Sequence, residues 1–72
     1  MMYEDLLKKL VGSIVQIWFS GNGEDYVRGR ILDVDSEMVK LETLGKNSNF
    51  VYVEFLQEIQ CVTTTEDVKL ED

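Results

Sequence analysis

The chain has 72 residues, with 14 acidic and 7 basic side chains, a formal net charge of −7, one cysteine and no histidine. This length fits one domain, and folded domains this small bury only about 60% of the surface that the unfolded chain exposes. A lone cysteine excludes an intramolecular disulfide, and without histidine it also excludes the common zinc frameworks. Self-association therefore remains as the expected source of extra stability.

The same composition narrows the partners and the compartment. Proteins that coat nucleic-acid phosphates need a surface rich in Lys and Arg, and the acidic balance of this chain argues against such a coat. No apolar run approaches the roughly 20 residues of a membrane span, and the start of the chain lacks a signal-peptide pattern. We therefore expect no membrane partner, and the single thiol favours the reducing environment of the cytoplasm.

The first segment predicts a helix over residues 3–11. Its apolar residues recur at helical spacing and are expected to dock on the rest of the domain: Leu6, Leu7, Leu10 and Val11. Acidic residues precede basic ones, which suits the helix dipole, and Gly12 is a natural terminator.

The remainder alternates as strands, predicted over residues 13–20, 26–35, 38–44, 50–55 and 59–63. An Asn22-Gly23 pair between the first two runs is a strong hairpin signal. Gly29 and the adjacent apolar pair Ile31-Leu32 predict a bulge or sharp bend in the second strand.

These elements predict an all-β fold, a small, strongly bent antiparallel barrel of five strands with an N-terminal α-helix. The domain spans residues 1–63, and residues 64–72 form an acidic C-terminal tail. The fourth and fifth strands are the expected edges, and the fourth is apolar with no Lys or Pro to protect it from pairing. A subunit interface is therefore predicted at Phe50, Val51, Val53, Phe55, Ile59 and Cys61.

Two short motifs accompany this order of elements. The first covers residues 29–39, from the strand glycine through Asp35 and Met38, and the second combines Val51-Tyr52 with Leu56 and Ile59. Together they resemble the Sm-like family, including its Hfq branch. The resemblance implies an Sm-like barrel, which is related to SH3 barrels, and a homo-oligomeric ring of five to eight subunits. In that family the fourth strand of one subunit pairs with the fifth strand of the next.

The resemblance also implies that the ring binds single-stranded RNA. The candidate RNA-binding residues are Asp35, Glu37, Met38, Tyr52, Glu54 and Phe55. Glu37 and Val39 stand where the family has a base-stacking residue and a base-reading asparagine, so altered base specificity is expected. The alternative is a protein-interaction or scaffold ring on the same barrel without significant RNA binding. At the level of fold, the alternative is a monomeric SH3-like adaptor.

Two clusters have both a functional and a structural interpretation. Asp33, Asp35 and Glu37 alternate and can hold a hard cation, but Met38 occupies the glycine position of a calcium loop, and a solvated turn is favoured. The alternating side chains of Tyr26, Arg28 and Arg30 form either a single-strand track or partners for acids on neighbouring strands, and the second interpretation is favoured.

Two single residues complete the predictions. Trp18 is expected to pack beneath the helix, and Cys61 to lie in the core, since no histidine is present to activate its thiol. No pair of carboxylates stands out as an acid–base couple. We therefore expect no enzyme activity, no cofactor and no metal.

Overall fold

The computed structural model describes residues 2–22, 25–43 and 50–64. They form the helix α1 (Met2–Lys9) and five strands, β1 (Ile14–Phe19), β2 (Tyr26–Val34), β3 (Met38–Thr43), β4 (Val51–Phe55) and β5 (Ile59–Thr64). Single turns of 3-10 helix follow β1 at Ser20–Asn22 and β4 at Leu56–Glu58. Residue 44, at the end of the third predicted strand, residues 45–49 before the fourth, residues 23–24 of the hairpin and residues 65–72 of the tail lie outside the described residues.

The strands form one antiparallel sheet in the order β4-β3-β2-β1-β5. The described strands do not close on themselves, so β4 and β5 are the two edges of the sheet. The β-rich fold, the N-terminal helix and both predicted edge strands are thereby confirmed. The strand limits differ from the predictions by at most one residue, and they differ because hydrogen bonding, which sequence patterns only indicate, decides the ends.

The second strand contains the predicted bulge. Ile31 pairs with Leu41 and Asp33 with Lys40, so the register shifts and Leu32 is the extra residue. A bulge of this kind bends its strand and increases the local twist. Strict alternation from Ile31 would place Asp33 on the core side, but with the extra residue Asp33 is exposed and Val34 is buried.

Gly29 lies where the backbone of β3 leaves no room for a side chain on β2. A Cβ atom at this position would lie 2.5 Å from the backbone oxygen of Glu42, a distance that no real side chain tolerates. The glycine therefore permits the spacing between the two strands.

The core lies on one face of the curved sheet and is closed by α1. Its buried members come from the strands, from α1 and from the 3-10 turn after β4: Leu7, Val15, Ile17, Phe19, Ile31, Val34, Val39, Leu41, Leu56 and Ile59. On β1 and β3 the buried apolar residues are two positions apart, Val15, Ile17 and Phe19 on the first and Val39 and Leu41 on the second. The burial of apolar side chains from the helix and the strands in this shared core holds the helix against the sheet.

α1 docks through a narrower stripe than the sequence predicts. Leu7 is fully buried, and Tyr3 and Leu10 pack at the margin of the core. Leu6 and Val11 are 41% and 47% exposed, so their predicted role in docking is wrong. The spacing of four and then three residues from Tyr3 forms a single stripe, and Leu6 lies one position away from it around the helix.

The helix ends before residue 11 because its last turn is tied to the bulged strand. Gly12 adopts a positive φ of 93°, its amide donates to the Ile31 carbonyl at 2.8 Å, and Arg30 donates to the Gly12 carbonyl at 3.1 Å. Within the helix, Lys8 pairs with Glu4 at 2.9 Å, one turn away, as the charge order indicates.

Trp18 is not placed beneath the helix as predicted. The buried residues of β1 face the core that Leu7 joins, and Trp18 lies on the opposite face of the strand. Its ring contacts Tyr26 there, with centroids 5.1 Å apart and planes tilted by 56°. The cross-strand partner, which the sequence does not specify, decides this packing.

Candidate assembly edge and RNA surface

Within the described part of the chain, β4 has a hydrogen-bonded partner on one side only. The amides of Leu56 and Thr43 donate to the carbonyls of Glu37 and Phe50, each at 2.8 Å. Because bonded positions alternate in an antiparallel pair, every second residue of β4 directs its N–H and C=O away from β3. These residues are Val51, Val53 and Phe55.

The same three residues present a row of exposed apolar side chains, called the apolar row below. Val51, Val53 and Phe55 are 55%, 45% and 48% exposed, and the adjacent Phe50 is 62% exposed. Among the described residues, backbone groups without a hydrogen-bond partner and exposed apolar side chains therefore coincide on this edge. Such an edge pairs readily with another strand unless something covers it.

The fifth strand is the second edge, and it differs from the sequence-based prediction at one residue. Cys61, predicted as a core residue, is exposed. The ladder between β5 and β1 shifts register at Gln60, and the shift turns Ile59 and Val62 toward the core and Cys61 away from it. The predicted burial of Cys61 is therefore wrong, since a regular alternation does not anticipate the extra residue.

Asp35 shapes the turn between β2 and β3. Its Oδ1 accepts hydrogen bonds from the amides of Glu37 and Met38, both at 2.8 Å. These two bonds stabilise the carboxylate and hold the pKa of Asp35 below its usual value. The carboxylate is thus occupied by its own turn, which fixes the direction of the residues that follow.

Met38 and Phe55 lie directly opposite each other on β3 and β4. Opposite residues in an antiparallel pair share one face of the sheet, so the thioether and the ring are neighbours. Glu37 lies at the same end, where its carbonyl accepts from the amide of Leu56. The predicted RNA residues from the turn and from the end of β4 are therefore brought together.

Tyr52 and Glu54 lie on the inner side of β4, opposite to the apolar row. The Tyr52 hydroxyl donates to Oε1 of Glu54 at 3.3 Å, and the ring packs at 5.8 Å from that of Phe19. Burial raises the pKa of Tyr52, and the nearby charge of Glu54 raises it further. This half-buried pair lies on the other face of β4 from Phe55, so the six candidate RNA residues do not form one continuous face.

A shallow depression of about 190 Å³ lies between the β2–β3 turn and the outer face of β4. Asp33, Asp35 and Lys40 supply its charged lining, and Met38 and Val53 supply apolar surface. Sequence reasoning missed Asp33 and Lys40 as members of this site. Their pairing across the bulge brings them together, and a bulge position alone does not reveal that register.

The outer face of β1 and β2 carries the aromatic and basic residues considered above. Tyr26 and Arg28 lie opposite Trp18 and Gln16, and Arg30 is hydrogen bonded to the end of the helix. Arg30 also lies opposite Glu42, so the structural interpretation, in which arginines face acids on a neighbouring strand, has support at this position.

Among the described residues, no three His, Cys, Asp or Glu side chains are grouped as a metal site. The three alternating acids differ in what they contact. Asp33 accepts from the amide of Val34, and Asp35 caps the turn. These contacts give Asp33 a backbone partner at the end of β2 and Asp35 two in the turn that follows.

Comparisons with models of known protein families, with curated proteins and with solved structures return no match for this chain. Of the helices that the structure describes, none has the length and apolar character needed to cross a membrane.

Proposed function

We propose that this chain is an Sm-like barrel subunit that assembles into a homo-oligomeric ring and binds single-stranded RNA with altered base specificity. The observation that carries the proposal is the free edge of β4, where outward backbone groups and the apolar row coincide. The motifs around Asp35 and Val51-Tyr52, which resemble those of the Sm-like family, support the same conclusion.

The two edges of the sheet supply the assembly contact. β4 of one copy adds to β5 of the next, so each copy uses two different surfaces. A contact of this head-to-tail kind closes into a ring when the rotation between copies permits it. The small size of the domain favours the assembly, because pairing adds buried apolar surface that one copy lacks.

RNA binding in this proposal depends on stacking more than on charge. Met38 and Phe55 form an apolar surface beside the β2–β3 turn, and bases stack on aromatic rings with little sequence preference. Glu37 lies at the same end of the two strands and repels phosphates. We therefore expect weaker binding of oligouridine than a ring with basic pore residues would show.

A scaffold ring that binds a protein is the second candidate. The depression is lined by two aspartates, Asp33 and Asp35, against one lysine, Lys40, and this balance favours the scaffold, because it complements a basic side chain better than a phosphate. Both candidates require the same assembly and differ only in the ligand.

Assembly is tested by the mass of the particle in solution, by native mass spectrometry or sedimentation. Val53→Pro removes an N–H that faces the free edge and leaves the ladder to β3 intact, so a folded monomer is expected. Val53→Thr keeps the N–H and is the matched control, and Val53→Lys places a charge in the apolar row without altering the backbone. A wild-type protein that is a folded monomer at micromolar concentration contradicts the proposal.

The ligand is tested by titration with short RNA homopolymers at two salt concentrations. Glu37→His restores a stacking side chain at an exposed position and should increase affinity for oligouridine. Val39 is unsuitable for the matching change to asparagine, because it is fully buried. A Glu37→His ring that still does not bind RNA would favour the scaffold candidate.

A further inference from the structure

Val62 directs its backbone groups to the free side of β5. Just before β1, the carbonyl of Ser13 accepts a hydrogen bond from the amide of Ile31 on β2, at 3.0 Å. Bonded positions alternate, so the odd-numbered residues of β1 bond to β2 and the even-numbered residues bond to β5. Trp18 is one of the latter and pairs with Cys61. The backbone N–H and C=O of the next residue, Val62, therefore point away from β1, while its side chain packs against the core.

The two free edges thus present opposite faces of the sheet. On β4 the outward backbone groups belong to residues with outer, exposed side chains, whereas on β5 they belong to residues such as Val62, whose side chain points inward. Residues directly opposite each other in an antiparallel pair have side chains on one side. Antiparallel addition of β4 to β5 consequently places the apolar row of one copy on the core side of the next.

Other pairings do not have this effect. If β4 pairs with β4 of a second copy about a two-fold axis, both apolar rows stay on the outer face of the joined sheet and remain in water. The antiparallel contact between β4 and β5 is the arrangement that buries the row. The apolar character of Val51, Val53 and Phe55 therefore favours a second copy, joined through β5, as the occupant of this edge.

In this arrangement, Tyr3 lies on the side of β5 that the apolar row of the neighbouring copy would cover. Its ring packs at the margin of the core, and its hydroxyl donates to the carbonyl of Gln60, 3.4 Å away, on β5. Val62 is the other partly buried apolar residue on this side of β5. Both residues keep surface that a neighbour's side chains are able to cover.

We propose that Tyr3 and Val62 of one copy form the receiving surface for Val53 and Phe55 of the next, so that α1 is part of the subunit interface. Val53 lies opposite Val62 in this register, and Phe55 lies opposite Gln60, next to the ring of Tyr3. The inference rests on the proposed ring. It adds the register between β4 and β5, the placement of the outer apolar row of one copy on the core side of the next, and a role for the helix.

Disulfide trapping tests the register in a Cys61→Ser background. A bonded antiparallel pair has Cα atoms about 5.5 Å apart, within the range that a disulfide bridges. Val53→Cys combined with Val62→Cys should give a ladder of covalent multimers under mild oxidation, whereas either change alone should not. Efficient dimers from Val53→Cys alone would show a two-fold β4 contact and overturn the inference, as would an assembled double variant that does not cross-link.

Truncation of Tyr3 tests the role of the helix. Tyr3→Ala should raise the concentration needed for half-assembly by about tenfold or more, the change expected for an aromatic anchor in an interface. Tyr3→Phe keeps the ring and should change it much less, and Leu6→Ala, on the exposed side of the same helix, is the matched control. Far-ultraviolet circular dichroism and the thermal midpoint report whether each variant remains folded.

The outcomes separate this inference from the proposed function. If Val53→Pro dissociates the ring but a folded Tyr3→Ala variant assembles as well as the wild type, the ring stands and the role of Tyr3 is wrong. Since Tyr3 also packs on its own core, Phe55→Ala supplies a second measurement from the other side of the contact. Its loss of assembly should not add to that of Tyr3→Ala if the two residues touch across the interface.

Discussion

β3 and β4 are neighbours in one sheet and are similarly rich in apolar residues, but the two strands place them differently. In β3 the apolar residues Val39 and Leu41 are fully buried, and charged Lys40 lies outside. In β4 the residues that face the core are Tyr52 and Glu54, and the apolar row faces water. Apolar residues of β3 therefore stabilise the single copy, whereas those of β4 are available for association.

The sharpest test of this comparison replaces one apolar residue in each strand. Leu41→Ala should lower the free energy of unfolding by about 2–5 kcal/mol, because it leaves a cavity in the core. Val53→Ala should change the stability of the monomer by less than about 0.5 kcal/mol, since the side chain is already exposed. Urea unfolding at a concentration where the protein is monomeric measures both. Equal effects would contradict the division between the two strands.

In the helix, the same contrast between buried and exposed apolar side chains is found at two adjacent residues, Leu7 and Leu6. Leu7→Ala should cost about 2–5 kcal/mol, because Leu7 is fully buried against the sheet. Leu6→Ala has the same change in helix propensity and serves as the control, with little effect expected on the thermal midpoint. A marked loss from Leu6→Ala would mean that the helix turns a different face to the core.

Gly29→Ala tests how β3 is held by its other neighbour, β2. The new Cβ would meet the backbone oxygen of Glu42 at 2.5 Å, so one of the strands must shift. Overpacking of this kind typically costs about 1–3 kcal/mol. Gly21→Ala is the control, because a Cβ there meets no atom within 4 Å. A neutral Gly29→Ala variant, measured by thermal unfolding, would show that the close approach is not needed.

The smallest expected effect concerns Asp35, which joins β2 to β3. The pKa of Asp35 is lowered in the folded state by its bonds to two backbone amides. The carboxylate therefore stabilises the fold at a pH above its unfolded pKa, and this contribution is lost as the pH falls through the lower, folded pKa.

The stability difference between wild type and Asp35→Asn should thus shrink as the pH falls through this range. The difference for Ser36→Ala, in the same turn but without a carboxylate, should stay constant. Thermal midpoints across acidic pH measure both. A pH-independent Asp35→Asn difference would show that the hydrogen bonds alone, without the charge, account for its role.

Strong local patterns were predictable from the sequence, and register was not. The alternation around Val15 and Ile17 identifies a strand with one buried face, and Gly29 with the Ile31-Leu32 pair locates the bulge, because each depends on neighbouring residues alone. The predicted burial of Cys61 was wrong for the opposite reason. An extra residue at Gln60 reverses the alternation in β5, and only the pairing with β1 reveals it.

The candidate site divides in the same way. An apolar fourth strand and an acidic β2–β3 turn are properties of consecutive residues, so the edge and the position of Asp35 follow from the sequence. That Met38 lies opposite Phe55, and that Asp33 and Lys40 share a depression, depends on ladders between segments distant in the chain.

One helix, five strands, their approximate limits and the two edges were predictable from local patterns, since periodicity and turn residues act over a few positions. The tertiary structure decided which backbone groups face the free edges and on which side Tyr3, Val62 and the apolar row lie. The physical reason is that hydrogen-bond direction and side-chain direction both alternate along a strand. Their phase is set by pairing with another strand, and a single bulge is enough to change it.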